Sequence, residues 1–242
     1  MSEFVCLYEV GPRDGLQNEA RIISVEHKVG LIRALVQAGL KDIEVGSFVS
    51  EKWVPQMANT DRVMAGLDYG RDVNYAVLVP NMRGFEAWRE ARAALPRIPG
   101  EIAVFIAASE GFSKANLNCT IAESLERVRP VVEAAMTESV KVRGYVSCVT
   151  DCPYDGPTAP EAVADVVARL GRVDVLVNNA YGTTAPSIDS ATAEDFDRAY
   201  HAGVTAYFLL AREVVTHLRE RNAPGSIINI ASMYGVVASY PD

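Results

Sequence analysis

The chain is poor in the residues that many functions need. It has three histidines, His27, His201 and His217, and no two are close enough to form a His-x-His pair. No apolar run approaches the roughly 18–20 residues of a membrane span, so no membrane partner is expected. No block of lysine or arginine stands out and the net charge is −8, which argues against nucleic acid and anionic lipid surfaces. The opening Met-Ser-Glu-Phe-Val has neither a basic region nor an apolar core, so it does not read as a signal peptide, and a cytoplasmic setting is expected. Cysteine is scarce as well: Cys6, Cys119, Cys148 and Cys152. In a cytosol they are expected to stay reduced. Cys148 and Cys152 lie four apart without a nearby histidine or third cysteine, so they read as inert thiols rather than a zinc set. What remains is ordinary for a core-forming protein, with 49% hydrophobic and 22% charged residues.

Strand and helix patterns alternate from end to end. Phe4–Val10 reads as a strand running into a Gly-Pro loop, and Ser24 caps a helix that closes at Gly39. Asp42–Val45, Asn74–Val79, Ile102–Ala107 and Val140–Ser147 read as further strands. The spacing predicts helices over Trp53–Leu67, Arg83–Leu95, Ile121–Met136 (capped by Thr120) and Ala159–Leu170. Five βα units in a row predict an α/β fold with a parallel sheet. The Pro/Gly-rich stretch Cys152-Pro-Tyr-Asp-Gly-Pro-Thr-Ala-Pro160 reads as a loop or linker.

On such scaffolds chemistry sits at the C-terminal ends of strands. Arg13 and Asp14 follow the first strand inside Gly11-Pro-Arg-Asp-Gly15, and Glu44 lies on the second. Two carboxylates and an arginine there suit a divalent metal with oxygen ligands and a carbonyl to polarise. The same residues also read as a buried Arg–Asp pair tying down a loop.

Residues 4 to about 160 resemble the first part of hydroxymethylglutaryl-CoA lyase, an eight-stranded TIM-type barrel enzyme. The resemblance rests on Glu9-Val-Gly-Pro-Arg-Asp-Gly-Leu-Gln-Asn-Glu19, Val45-Gly-Ser-Phe-Val-Ser50, Lys52-Trp-Val-Pro-Gln-Met57 and Val77-Leu-Val-Pro-Asn81. Arg83-Gly-Phe85, Ala107-Ala-Ser-Glu110, Phe112-Ser-Lys114 and Val142-Arg-Gly-Tyr-Val-Ser-Cys148 extend it. It implies cleavage of 3-hydroxy-3-methylglutaryl-CoA to acetyl-CoA and acetoacetate. Asp14 would be a ligand of Mg²⁺ or Mn²⁺, Arg13 would stabilise the developing enolate, and Glu44 would position both. The family's His-x-His ligands, late asparagine ligand and Gly-rich loop with a reactive cysteine have no counterpart here, so a metal would bind weakly.

Arg172-Val-Asp-Val-Leu-Val-Asn-Asn-Ala180 and Gly225-Ser-Ile-Ile-Asn-Ile-Ala-Ser232 resemble the short-chain dehydrogenases. That resemblance implies Asn178 and Ala180 beside an NAD(P) cofactor and Ser232 as the catalytic serine. No lysine follows Lys141, so no Tyr-x-x-x-Lys pair is available, and no Gly-x-x-x-Gly-x-Gly turn is present to hold a diphosphate. NAD(P) binding is therefore expected to be poor.

The resulting expectation is a two-part chain. Residues 1–162 would form five βα units of an incomplete TIM-type barrel, and 163–242 a Rossmann-like βα fragment. The whole is expected to be a hybrid without complete catalytic activity, the alternative being a lyase-like enzyme completed by a partner chain. Acyl-CoA is the expected small-molecule partner, and an uncovered sheet edge would favour self-association.

Overall fold

The computed structural model describes residues 7–70, 72–95, 100–149, 151–159, 161–163, 175–178 and 189–229. Of the expected helix over Ala159–Leu170, Ala159 and the helical residues 161–163 are described and the rest lies outside, as do Ala180 and Ser232. Two compact units are present: Met1–Ile106 with Ala122–Tyr145, and Ala107–Ile121 with Val146–Asp242. No helix of the described residues is long and apolar enough to cross a membrane.

The first unit is built on a parallel half-barrel in the order β1-β2-β3-β4-β5, with β1 Tyr8–Glu9, β2 Asp42–Ser47, β3 Asn74–Leu78, β4 Glu101–Ala107 and β5 Lys141–Ser147. β2 pairs with β1 through Tyr8↔Asp42 and with β3 through Ile43↔Tyr75. Side chains alternate across each strand, and the sequence exploits this. Ile43, Val45, Val77, Ile102, Val104 and Ile106 are buried with Ile32, Met64, Phe85 and Trp88 from the covering helices. The alternate positions Asp42, Glu44, Asn74, Glu101, Arg143 and Tyr145 carry polar groups that bond to one another across strands.

The helices of this unit have local causes. α1, Val25–Gln37, starts where the Ser24 hydroxyl accepts from the His27 amide at 3.3 Å. Ser24→Ala is expected to cost about 0.5–2 kcal/mol, read by urea unfolding. The single helix expected over Trp53–Leu67 is instead a 3₁₀ turn, Pro55–Met57, followed by α2, Thr60–Ala65. Pro55 has no amide to donate, and Asn59 takes a left-handed φ of 61° that interrupts the helical path. α3, Met82–Ala93, is capped by the Asn81 side chain accepting from Gly84 at 3.0 Å. Arg92 lies over the Trp88 ring at 4.2 Å and pairs with Glu138. α5, Ile121–Thr137, follows the expected range, whereas α4, Glu110–Leu117, was not foreseen and belongs to the second unit.

In the second unit the Pro/Gly-rich stretch is a short antiparallel hairpin rather than a bare linker. β6, Asp151–Cys152, pairs with β7, Gly156–Pro157, around Gly156 at φ 75°. β8, Val175–Asn178, and β9, Ser226–Asn229, form a separate two-stranded parallel sheet in the register Val175↔Ser226. The chain between them includes α6, Ala193–Tyr200, a π turn over His201–Thr205, and α7, Ala206–Glu220. Thr192 and Asp195 form a reciprocal capping box at the start of α6. Among the described residues β8 and β9 pair only with each other.

Candidate active site

The loop after β1 fixes its two charged residues by backbone geometry. Gly11–Gly15 is a π turn in which the Arg13 and Asp14 amides both donate to the Val10 carbonyl, at 3.0 and 2.7 Å. The Gly11 amide donates to Glu9 Oε1 at 2.6 Å, and a Cβ at Gly11 would meet that oxygen at 2.7 Å, so a side chain there would displace the Glu9 carboxylate. Arg13 is turned inward, 8% exposed. Its Nε donates to Glu44 Oε1 and its Nη1 to Asp14 Oδ1, the latter at 2.5 Å; neither contact uses Nη2.

Glu44 is fully buried on β2 and is held from two sides. Oε1 accepts from Arg13, and Oε2 accepts from the Tyr145 hydroxyl of β5 at 2.7 Å. The Arg13 guanidinium also lies 5.6 Å from the Tyr145 ring centre. Burial pushes the Glu44 carboxyl up, with Arg13 and Tyr145 pulling against it. Burial alone would lower the Arg13 pKa, but the Glu44 carboxylate outweighs it, so the guanidinium stays charged. Tyr145 is pushed well above the usual phenol range by burial and then by the Glu44 charge, which makes it a firm hydrogen-bond donor.

Beneath this cluster lies a second polar layer. Arg143 Nε donates to Glu101 Oε1 at 2.8 Å, and Asn74 Nδ2 bridges Glu101 Oε2 and Asp42 Oδ1, each at 3.1 Å. The Arg143 guanidinium stacks over the Tyr8 ring at 3.6 Å. Five strands are thus cross-linked by one polar network, which orders the floor on which Glu44 stands.

Of the residues expected from sequence, the structure brings Arg13, Asp14 and Glu44 together. Tyr145 was missed as a member of the cluster. Its signal was the alternation that puts Arg143 and Tyr145 on one face of β5, opposite the acidic face of β2. Asn178 lies in β8. Ala180 and Ser232 lie outside the described residues.

The donor set does not fit a resident divalent metal. Among the described residues no group of three His, Cys, Asp or Glu side chains is arranged around an ion. Asp14 alone presents an accessible carboxylate, 57% exposed, and one of its oxygens already faces Arg13. A Mg²⁺ ion on one carboxylate keeps nearly all its waters. Millimolar Mg²⁺ or Mn²⁺ alone is therefore expected to move the melting temperature by less than about 1 °C in differential scanning fluorimetry.

The family model described as HMGL-like matches residues 5–206, most of the chain. The chain belongs to the HMGL-like family. It is similar to a hydroxymethylglutaryl-CoA lyase of Pseudomonas mevalonii, 50% identical over 185 residues, which is 75% of this chain and 60% of that relative. A 3-hydroxy-3-isohexenylglutaryl-CoA/hydroxy-methylglutaryl-CoA lyase of Pseudomonas aeruginosa is 55% identical over 166 residues, covering 69% of this chain and 53% of the relative. The crystal structure of hydroxymethylglutaryl-CoA lyase from Pseudomonas aeruginosa matches with a TM-score of 0.67 at 41% identity, over 93% of this chain and 75% of that one. The chain thus spans only about half to three-fifths of the length of these curated relatives.

One expectation is corrected by these findings. The family match runs to residue 206, well past the expected change of identity near 162, and strong similarity to lyases covers most of the chain. The reading as an inactive hybrid is therefore replaced by membership of the HMGL-like family. A separate dehydrogenase segment is not shown either. Structures of dehydrogenases such as an acetoin dehydrogenase from Salmonella typhimurium match with a TM-score of 0.38 and carry no argument for a Rossmann fragment or a dinucleotide.

Proposed function

We propose that this chain contributes the Arg13 side of a carbon–carbon lyase site acting on a 3-hydroxy-3-methylglutaryl-type CoA thioester. The observation that carries the reading is the buried Arg13–Glu44–Tyr145 cluster beside Asp14, set into the half-barrel of an HMGL-like chain. In a retro-Claisen cleavage the C3 hydroxyl loses its proton, the C2–C3 bond breaks, and its electrons pass to the thioester as an enolate. A fixed cation aimed at that oxygen stabilises the transition state more than the ground state. Arg13 suits this role because Glu44 and Tyr145 hold it in place, so little reorganisation accompanies the reaction. Asp14 is the residue of this loop open to a substrate or a transient cation. No step is assigned to a metal. The base that takes the hydroxyl proton is not among the residues assembled here.

The test is acetoacetate formation from 3-hydroxy-3-methylglutaryl-CoA with Mn²⁺, by this chain with and without a polypeptide supplying the remaining length of a lyase. Turnover that depends on this chain supports the proposal. A folded mixture without turnover overturns it.

One observation favours a second reading for residues 163–242. β8 and β9 pair in parallel across a helical connection, which supports a Rossmann-like unit in which the dehydrogenase resemblance would assign Asn178 and Ala180 to a weakly held dinucleotide and Ser232 to catalysis. Addition of NADPH without any rise in melting temperature would sink that reading.

A further inference from the structure

A second polar cluster sits in the second unit, around sulfur. The Ser109 hydroxyl donates to Cys152 Sγ at 2.8 Å, and the Tyr154 and Asp155 amides both point at the same sulfur at 3.4 Å. Ser109 is free to donate because it spends its lone pairs capping α4, accepting from the Phe112 amide at 3.3 Å. The hairpin that carries Cys152 is pinned to the same helix start, where the Gly111 amide donates to Asp155 Oδ2 at 2.6 Å. A Cβ at Gly111 would stand 2.3 Å from that carboxylate, so a side chain there would push Asp155 off the amide.

A neutral thiol is a weak acceptor and has no need of three donors. A thiolate does, and the start of a helix adds a favourable partial positive charge. Cys148 lies four positions before Cys152, and each thiol shifts the other's pKa. Cys148 is held at φ 57°, a left-handed conformation that costs a residue with a side chain, at the bend between β5 and the hairpin. Cys152 is 2% exposed and Cys148 half-buried, and neither is in a disulfide.

The geometry points to Cys148 and Cys152 as a redox-active thiol pair that a hydroperoxide oxidises to an intramolecular disulfide, with Cys152 as the attacking thiolate and Cys148 as the resolving thiol. In the first step the Cys152 sulfur attacks the terminal oxygen of the hydroperoxide. The O–O bond breaks, the alkoxide or hydroxide leaves and takes a proton from water, and Cys152 becomes a sulfenic acid. In the second, the Cys148 sulfur loses its proton and attacks Cys152 Sγ. The S–O bond breaks and hydroxide leaves with that proton as water. Two thiols are oxidised and one peroxide is reduced. The division of labour follows from environment. Burial raises the Cys152 thiol, but Ser109, the two amides and Cys148 outweigh it and bring it below the usual value. Burial and the neighbouring Cys152 push Cys148 up to about 11, so it stays protonated as a donor until it resolves the intermediate.

The test treats the full-length chain with hydrogen peroxide and maps its peptides without reduction. The expected product is a loss of two hydrogens confined to the tryptic peptide from Gly144 to Arg169, with the buried Cys119 unchanged and no cross-linked dimer. In Cys148→Ser, a dimedone adduct of the sulfenic acid should accumulate on Cys152. In Cys152→Ser, Cys148 should stay unmodified over the same time. Ser109→Ala should slow oxidation about tenfold, the weight of one hydrogen bond to a charged sulfur. The idea is overturned if both thiols remain open to alkylation after peroxide while the chain still melts cooperatively. Preferential oxidation of Cys119, or pairing with Cys6, would overturn it equally.

Discussion

Glu44→Ala is expected to destabilise the first unit by about 3–5 kcal/mol in urea unfolding followed by far-ultraviolet circular dichroism. The side chain is fully buried and its two oxygens serve Arg13 and Tyr145. Removing it leaves a guanidinium that is 8% exposed with only the surface carboxylate of Asp14 as counter-charge. The Tyr145 hydroxyl loses its acceptor in the same step. The upward shift of the Glu44 carboxyl says that burying this ion pair is itself costly, so the pair is poor evidence of net stabilisation. The two statements are compatible, because breaking a buried pair costs more than never having built it. The double variant Arg13→Met with Glu44→Gln should accordingly recover at least half of the loss. A double variant as unstable as Glu44→Ala would mean the destabilisation comes from lost packing and not from an orphaned charge.

Arg13→Met is expected to lower turnover by about 10²–10³-fold in the complemented lyase assay, with a much smaller change in KM. That pattern marks a group that acts on charge developing in the transition state. Arg13→Lys should not rescue it, because an ammonium cannot reproduce the planar fork that meets Glu44 through Nε and Asp14 through Nη1. A rise in KM with kcat unchanged would instead make Arg13 a ground-state binding residue.

Much of this site could be read from sequence because its parts are local. Gly11-Pro-Arg-Asp-Gly15 announces a tight loop after a strand, and the structure makes it a π turn that presents Arg13 and Asp14 together. Ser24 announced α1 by the same kind of short-range chemistry. Tyr145 was not legible as a member of the cluster, since it meets Glu44 across 101 positions of chain and only the curl of five strands brings them together. The Trp53–Leu67 segment misled for a different reason. Its apolar spacing is helical, but Pro55 and the left-handed Asn59 overrule it locally. α4 was missed because it has only eight residues, of which one is fully buried, so its periodicity is faint; its Ser109 cap was the available signal. The switch from lyase-like to dehydrogenase-like motifs suggested an inactive hybrid. Short motifs of a strand and its turn are weak guides to identity beside a match over residues 5–206.

The most direct measurement is a calorimetric titration of the full chain and of Arg13→Met with 3-hydroxy-3-methylglutaryl-CoA, each first shown to melt cooperatively. Saturable binding by both proteins, with affinities within about threefold of each other, is the expected result, since Arg13 acts on charge that develops only in the transition state. No binding by the native chain, or a loss of affinity in the variant as large as the expected loss of turnover, would contradict a transition-state role for the Arg13–Glu44–Tyr145 cluster.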